Sequence, residues 1–373
     1  MKKLFFCKNC IAFSTRPRIT FDSKGVCSAC QWSQEKRKIN WGSRETKLKK
    51  LFASNDKIKK TKYDCIVAVS GGKDGSYVAY NLRNKFKKKI LTVTVKPPLH
   101  TQLGQYNLDA FIQSGFENLL ISPDPEAMRL LNKLGLEYMG FPYYGWLISI
   151  HTALIRVAYN MKIPLIFYSE DGEVEYGGDT KFKNKITYDT NYQKSHYLEG
   201  GYKKIIQLAK KKGITDNQLY WFTFPSDKEI KNFNLKITHY SYFNNWDPYK
   251  NYVIAKEKCG LKENKVLNKG TYTNFAQTDQ ELYQLHVYLM YLKFGFGRAT
   301  QDACIDIRRG SMSREQGIEL TRLYDDSYPE DLFEKYCDYY KISPKKLENI
   351  FDKWVNKKLF VKKNRWVPKF KIF

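Results

Sequence analysis

The sequence has no apolar run of the roughly 18 residues that a membrane-spanning helix needs. Its most apolar stretch, Trp146 to Tyr159, is broken by Ser149, His151, Thr152 and Arg156, which excludes such a helix there. The opening Met-Lys-Lys-Leu-Phe-Phe meets Cys7, Lys8 and Asn9 at once. That is too short an apolar core for a secretory signal, so the cytoplasm is the expected compartment. Acids are scarce: 38 Asp and Glu against 64 Lys and Arg leave a net charge of +26. Such an excess suits nucleic acid, nucleotides or a membrane surface. The surplus crowds into residues 1–62 and 345–373, however, with few aromatics interleaved. Solvated basic faces therefore account for it better than a base-stacking surface, and a nucleic-acid partner is not expected. No internal repeat and no low-complexity tract is present. Histidine numbers only five, and His151, His196 and His286 stand alone, as packing residues do.

What remains is globular in composition, with 42% hydrophobic and 16% aromatic residues over 373 positions, enough for two or three cores. Cys65-Ile-Val-Ala-Val69 reads as a strand buried on both faces, and Ile90–Val95, Asn118–Ser122 and Pro164–Ser169 as three more. Helical stretches fall between them at Asp74–Phe86, Leu108–Gly115, Pro125–Leu134 and Trp146–Met161. The alternation predicts an α/β fold with a parallel sheet covered on both sides. Residues 1–62 read as a cysteine module with a basic linker helix, and 63–270 as the α/β domain. Within the latter, about 180–250 reads as an irregular insertion covering a site. Residues 271–373 read as a helical domain, with helices at Ser313–Tyr324, Pro329–Tyr340 and Pro344–Val355.

Between the first strand and its helix lies Ser70-Gly71-Gly72-Lys73-Asp74-Gly75-Ser76. The glycines let backbone N–H groups turn inward, the helix start adds its positive dipole end, and Lys73 adds a full charge. The serine hydroxyls complete a cradle for phosphate or pyrophosphate. It is neither a Walker A loop nor the dinucleotide G-x-G-x-x-G. It resembles the S-G-G-x-D-S loop of the PP-loop ATP pyrophosphatases, which split ATP between the α and β phosphates. Here Gly75 stands where that loop carries serine, with Ser76 one place later.

Cys7-x-x-Cys10 and Cys27-x-x-Cys30 form a double knuckle suited to a tetrahedral ion, Zn²⁺ first, in a structural role. Two disulfides or an iron–sulfur cluster are the alternatives. Cys65, Cys259, Cys304 and Cys337 are isolated and read as small buried hydrophobes. After the fourth strand come Glu170, Asp171, Glu173 and Glu175, where open parallel sheets bind ligands. Any of the four suits Mg²⁺ or proton transfer, and spacing does not rank them. Arg298, after Phe294-Gly-Phe-Gly297, suits a phosphate or carboxylate.

Taken together, these residues resemble the N-acetyl sugar amidotransferases, whose members serve pseudaminic acid and lipopolysaccharide biosynthesis. The resemblance rests on the double Cys-x-x-Cys with Thr15-Arg16-Pro17 and Gly25-Val26 between its halves, and on Ser70–Asp74. It also rests on Glu173-Val-Glu-Tyr-Gly-Gly178, on Trp246 with Tyr249-Lys250, and on Lys293-Phe-Gly-Phe-Gly-Arg-Ala-Thr300. It implies a PP-loop, Rossmann-like fold of the adenine nucleotide alpha hydrolase type. It also implies ATP and Mg²⁺ as cofactors and an acetamido sugar as substrate, converted to an acetamidino sugar with release of AMP and pyrophosphate. In that chemistry Glu170, Asp171, Glu173 or Glu175 would bind Mg²⁺ or receive a proton from ammonium, Asp74 would be catalytic within the nucleotide-binding loop, and Arg298 would hold an acidic group of the sugar or its nucleotide. No glutaminase signature is present, so ammonia is expected from a separate glutaminase subunit. A tRNA-modifying PP-loop enzyme of the thiolase kind and a zinc-stabilised, non-catalytic nucleotide-binding scaffold are the competing readings.

Overall fold

The computed structural model describes residues 4–57 and 61–371. At its centre are five parallel strands in the order β3-β2-β1-β4-β5. These are β1 (Cys65–Ala68), β2 (Ile90–Val95), β3 (Asn118–Ile121), β4 (Leu165–Tyr168) and β5 (Lys236–His239). The continuous apolar runs form central strands because both sides of the sheet are covered. Strand alternation divides their side chains. Ile66 and Ile166 join the core under α5 (Pro125–Met139) and α6 (Tyr144–Asn160). Cys65, Val67, Leu165 and Phe167 join the opposite core. That second core is closed by α2 (Trp41–Asp56), α3 (Lys73–Asn84) and α4 (Gln102–Gln113).

Residues 4–36 wrap round the four cysteines and end in α1 (Ser28–Lys36), a helix the periodicity did not reveal. The basic linker helix is α2; Ile58, Lys59 and Lys60 lie outside the described residues. A short α7 (Gly172–Tyr176) follows β4. The segment 180–250 is not an irregular insertion. It holds α8 (Thr190–Tyr192), α9 (Tyr202–Lys211), α10 (Asp227–Phe233) and then β5, the edge strand of the sheet. The four-residue strand Lys-Ile-Thr-His carries one strong apolar residue, Ile237, so its sequence gave little strand signal.

Beyond it α11 (Pro248–Cys259) returns to pack on α3. The C-terminal region is helical: α12 (Leu282–Phe294), α13 (Arg298–Arg309), α14 (Arg314–Tyr324), α15 (Phe333–Tyr340) and α16 (Pro344–Trp354). A hairpin of β6 (Phe360–Lys362) and β7 (Trp366–Pro368) closes it. Pro329 precedes a separate 3-10 turn, Glu330–Leu332, rather than opening α15. α14 starts at a capping box in which Ser313 and Gln316 satisfy each other's backbone N–H groups. Among the described residues no helix is long and apolar enough to cross a membrane.

Candidate nucleotide site and cysteine centre

In the strand order, β2 and β4 leave β1 on opposite sides, so the switch point of the sheet lies between β1 and β4. A cleft of about 230 Å³ opens there at the carboxyl ends of the strands. Ser70 to Gly75 line one side, and Ser169 and Glu170, just past β4, line the other. Gly71 has φ +83°, and a Cβ on it would lie 2.5 Å from the backbone nitrogen of Leu108, so the loop rests directly on α4. Gly72 caps α3 without any side-chain hydrogen bond, which leaves the first N–H groups of that helix open to an anion.

Gly75, the departure from the usual loop, has a physical reason. A Cβ there would lie 2.7 Å from the carbonyl oxygen of Ala68. Gly75 lines the cleft with its backbone, and a side chain there would run into β1. Ser76 does not line the cleft: it is fully buried, and its hydroxyl has no partner among the described residues.

Lys73 pairs with Asp74. The other oxygen of Asp74 accepts from Asn251 Nδ2 at 2.9 Å, which ties α11 to the loop. Glu170 stands across the cleft. Burial, and then the Asp74 carboxylate, push its pKa up to about 7, and Lys73 opposes this. Tyr176 donates to Glu170 Oε1 at 3.2 Å. A strap from Phe275 to Asp279 completes the wall. Thr101 N–H donates to the Asp279 carbonyl at 3.1 Å and Glu281 N–H to the Leu99 carbonyl at 3.1 Å, which fixes the strap beside β2. Burial raises the pKa of Asp279 to about 6, opposed in part by a hydrogen bond from Ser70.

The acidic segment separates in space. Glu170 alone of the four lines the cleft. Asp171 is buried, caps α7 by accepting from Glu173 N–H at 3.1 Å, and accepts from the hydroxyls of Tyr188, Tyr192 and Tyr197 at 2.9–3.3 Å. Glu173 takes both ends of the Arg18 guanidinium, at 2.7 and 2.8 Å. Glu175 accepts from Trp32 Nε1 at 2.9 Å and pairs with Lys36 at 2.6 Å. Glu170 precedes α7, Asp171 caps it, and Glu173 and Glu175 leave its single turn in different directions, so the four acids do not share one ligand. Arg298 does not line the cleft: it pairs with Asp302 at 2.8 Å and donates to the Tyr283 hydroxyl at 2.9 Å. Asp279, Asn251 and Tyr176 were not singled out by sequence. Tyr176 and the neighbours of Asn251 did lie within the resemblance motifs, whereas Asp279 carried no local signal.

Cys7, Cys10, Cys27 and Cys30 are buried with their sulfurs all within 4.8 Å of one another. The Cys7–Cys30 and Cys10–Cys27 sulfurs lie 3.9 and 3.6 Å apart. A tetrahedron with metal–sulfur bonds of about 2.3 Å has edges of about 3.8 Å, so the donor set fits a single ion. Arg308 Nη1 lies 4.0 Å from Cys10 Sγ, and Arg314 donates to the Cys10 and Cys7 carbonyls at 3.1 and 3.4 Å. The centre is therefore bound to α13 and α14. The remaining four cysteines are buried, and among the described residues none lines the cleft between β1 and β4. His151 packs between Tyr168 and Tyr197, and burial pushes its pKa down to about 3, as for a neutral packing residue.

Residues 269–371 match the family described as LPS biosynthesis protein WbpG-like, C-terminal domain. Among solved structures, the U34-tRNA thiolase NcsA from Methanococcus maripaludis with its 4Fe-4S cluster is similar over 82% of this chain and 86% of its own. The identity is 15% and the TM-score 0.33. No curated protein matches the chain.

Three outcomes are expected. Gly75→Ser, which supplies the usual loop serine, will destabilise the chain by about 1–3 kcal/mol through overpacking against β1. An unchanged melting temperature would show that the strand yields. Glu170 binds a proton more tightly when folded, so its contribution to stability is full below its ordinary value of 4.5 and is lost as pH rises through about 7. Glu170→Gln removes that loss: without nucleotide, its melting temperature relative to wild type will climb between pH 5 and pH 8. A constant difference would mean that the carboxyl titrates normally. Elemental analysis should find about one tetrahedral ion per chain, and Cys10→Ser should lose it with a fall in melting temperature of several degrees. Retention of full metal by the variant would refute the assigned ligand set.

Proposed function

We propose that this chain is an ATP-dependent amidotransferase that converts the acetamido group of a bacterial surface sugar into an acetamidino group. The observation that carries the reading is the uncapped loop–helix start at Ser70–Gly75, facing a carboxyl of raised pKa across the switch point of the sheet. The WbpG-like match over residues 269–371 supports a place in lipopolysaccharide or related surface-sugar biosynthesis. A cytoplasmic location goes with the use of ATP.

The chemistry has two steps. The amide oxygen attacks the α-phosphorus of ATP, and the bond from that phosphorus to the α,β-bridging oxygen breaks. Pyrophosphate leaves and the amide proton is lost, giving an O-adenylyl imidate. Ammonia then adds to the imidate carbon, the carbon–oxygen bond breaks, and AMP departs with the former amide oxygen. In sum, NH replaces O on the sugar.

The open N–H groups of α3 and the Lys73 ammonium hold the departing diphosphate. Asp74 would hold Mg²⁺, which would supply charge neutralisation at the phosphates. Glu170, poised near neutrality, accepts the proton released as the imidate forms or as ammonia attacks. Asp279 orients the Ser70 hydroxyl. The cysteine centre, as a structural zinc site, acts by holding α1 against α7. Ammonia comes from a separate glutaminase subunit. A thiolase reading lacks a cysteine at the cleft among the described residues.

The test is mass spectrometry of acetamido sugars, free and nucleotide-linked, after incubation with ATP, Mg²⁺ and ammonium. The expected product is about one mass unit lighter, formed with equal amounts of AMP and pyrophosphate. Asp74→Ala should lower the rate at least a hundredfold. Release of ADP, or AMP formation that no acetamido sugar stimulates, would overturn the proposal, the latter in favour of a non-catalytic or tRNA-directed role.

A further inference from the structure

The β6–β7 hairpin and its flanks gather an unusual charge. From Lys353 to Phe373 the sequence contains no Asp or Glu. Lys357, Lys358, Lys362, Lys363, Arg365 and Lys369 are all exposed. On neighbouring α16 the basic residues meet acids: Lys345 and Lys346 reach Glu348 and Glu137 at 3.8 and 3.7 Å. On the hairpin, Lys362 pairs with Asp352 at 2.6 Å and Arg365 with Asp326 at 3.3 Å. The Lys369 ammonium donates to the Lys357 carbonyl at 2.8 Å. Among the described residues no carboxylate pairs with Lys357, Lys358 or Lys363.

Strand alternation gives the hairpin two faces. Phe360 points into the C-terminal core, and Lys362 and Trp366 turn the same way, both bonded to Asp352 of α16. Val361 and Val367 are cross-strand partners on the opposite face, and Val361 is 40% exposed. The Arg365–Asp326 pair sets the end of α14 beside the hairpin turn, and Leu323 in the last turn of that helix is 72% exposed. Ring contacts run from Phe360 to Phe370, Phe13 and Phe6 at 6.0, 5.1 and 4.3 Å, which brings exposed Leu4 and Phe5 to the same end of the molecule.

Exposed apolar side chains with a polar rim mark a contact surface, and the kind of rim indicates the partner. Lysine is depleted from protein–protein interfaces. A base-stacking surface needs outward-facing rings, whereas Phe360 and Phe370 pack inward and the Trp366 N–H is committed to Asp352. An anionic bilayer asks for what is present: ammonium groups that stay hydrated among headgroup phosphates, and small apolar groups that enter the acyl boundary. We propose that the face built from the β6–β7 hairpin, the end of α14 and Leu4–Phe5 docks on an anionic phospholipid surface. Docking here is independent of the chemistry at the cleft between β1 and β4.

The experiment is co-sedimentation of the full-length, metal-loaded protein with vesicles of phosphatidylcholine alone, and of phosphatidylcholine with about a third phosphatidylglycerol. The expected result is partition into the anionic vesicles at least about tenfold stronger than into the neutral ones, lost in high salt. Lys358→Glu with Lys363→Glu should weaken it at least about tenfold, and Val361→Gln several-fold. Lys50→Glu with Lys87→Glu makes the same change of net charge at exposed positions on α2 and beyond α3, and should cost about threefold at most. All of these side chains are exposed, so melting temperatures should stay near that of the wild type. No binding, or equal binding to both kinds of vesicle, overturns the proposal. So does equal weakening by the two double variants, since net charge and not the hairpin would then drive association. Displacement from the vesicles by tRNA at lower concentration than by added anionic lipid would overturn it in favour of a nucleic-acid surface.

Discussion

Four buried sulfurs drawn within 4.8 Å of one another gather residues 4–36 into a unit that touches both the segment after β4 and the C-terminal helices. Residues 4–36 are too few to bury a core of their own, and their four sulfurs form a donor set that fits one ion. Once folded, the segment works as a clamp. On one side Arg18, Trp32 and Lys36 take Glu173 and Glu175, and Ser28 reaches the Gly177 carbonyl at 3.4 Å. On the other, Arg308 and Arg314 bind the knuckles to α13 and α14. The cysteine centre therefore joins the segment after β4 to the C-terminal helices, two parts of the chain more than a hundred residues apart.

The clamp has an electrostatic consequence. By consuming Glu173 and Glu175, while three tyrosines consume Asp171, it leaves Glu170 as the only acid of its segment facing the phosphate loop. A half-buried carboxyl close to Asp74 resists ionisation, so it holds a proton near neutrality. A loop built from open backbone N–H groups and one lysine favours negative charge a few ångströms away. The uncapped helix start and the carboxyl of raised pKa thus stand on the two sides of the switch point. The strap at Phe275–Asp279 makes the C-terminal region part of the same cleft, which is why a region remote in sequence belongs to the site.

The α/β class, four of the five strands, the glycine turn between β1 and α3 and the clustered cysteine knuckles were legible because each is a local pattern. A doubly buried strand is an apolar run, a tight strand-to-helix turn needs glycine, and a cluster of four sulfurs needs paired cysteines at short spacing. β5 was not legible, since a short edge strand with one strong apolar residue has no period to detect. The strap was hidden for a related reason: Asp279 earns its place from the strand and helix it touches, not from its neighbours in sequence.

The acidic segment marks the boundary between the two kinds of information. Sequence determined that acids follow β4 and therefore sit at the ligand-binding edge of a parallel sheet. It could not say which acid faces the ligand, because one helical turn points consecutive residues at different partners, and those partners come from residues 18–36 and 188–197. Arg298 shows the same limit, since its apparent freedom after two glycines ends in Asp302, one turn along its own helix. Chain chemistry fixed the strand, the turn and the cysteine knuckles. Only packing between distant segments decided which charges were spent on holding the fold together and which were left for a ligand.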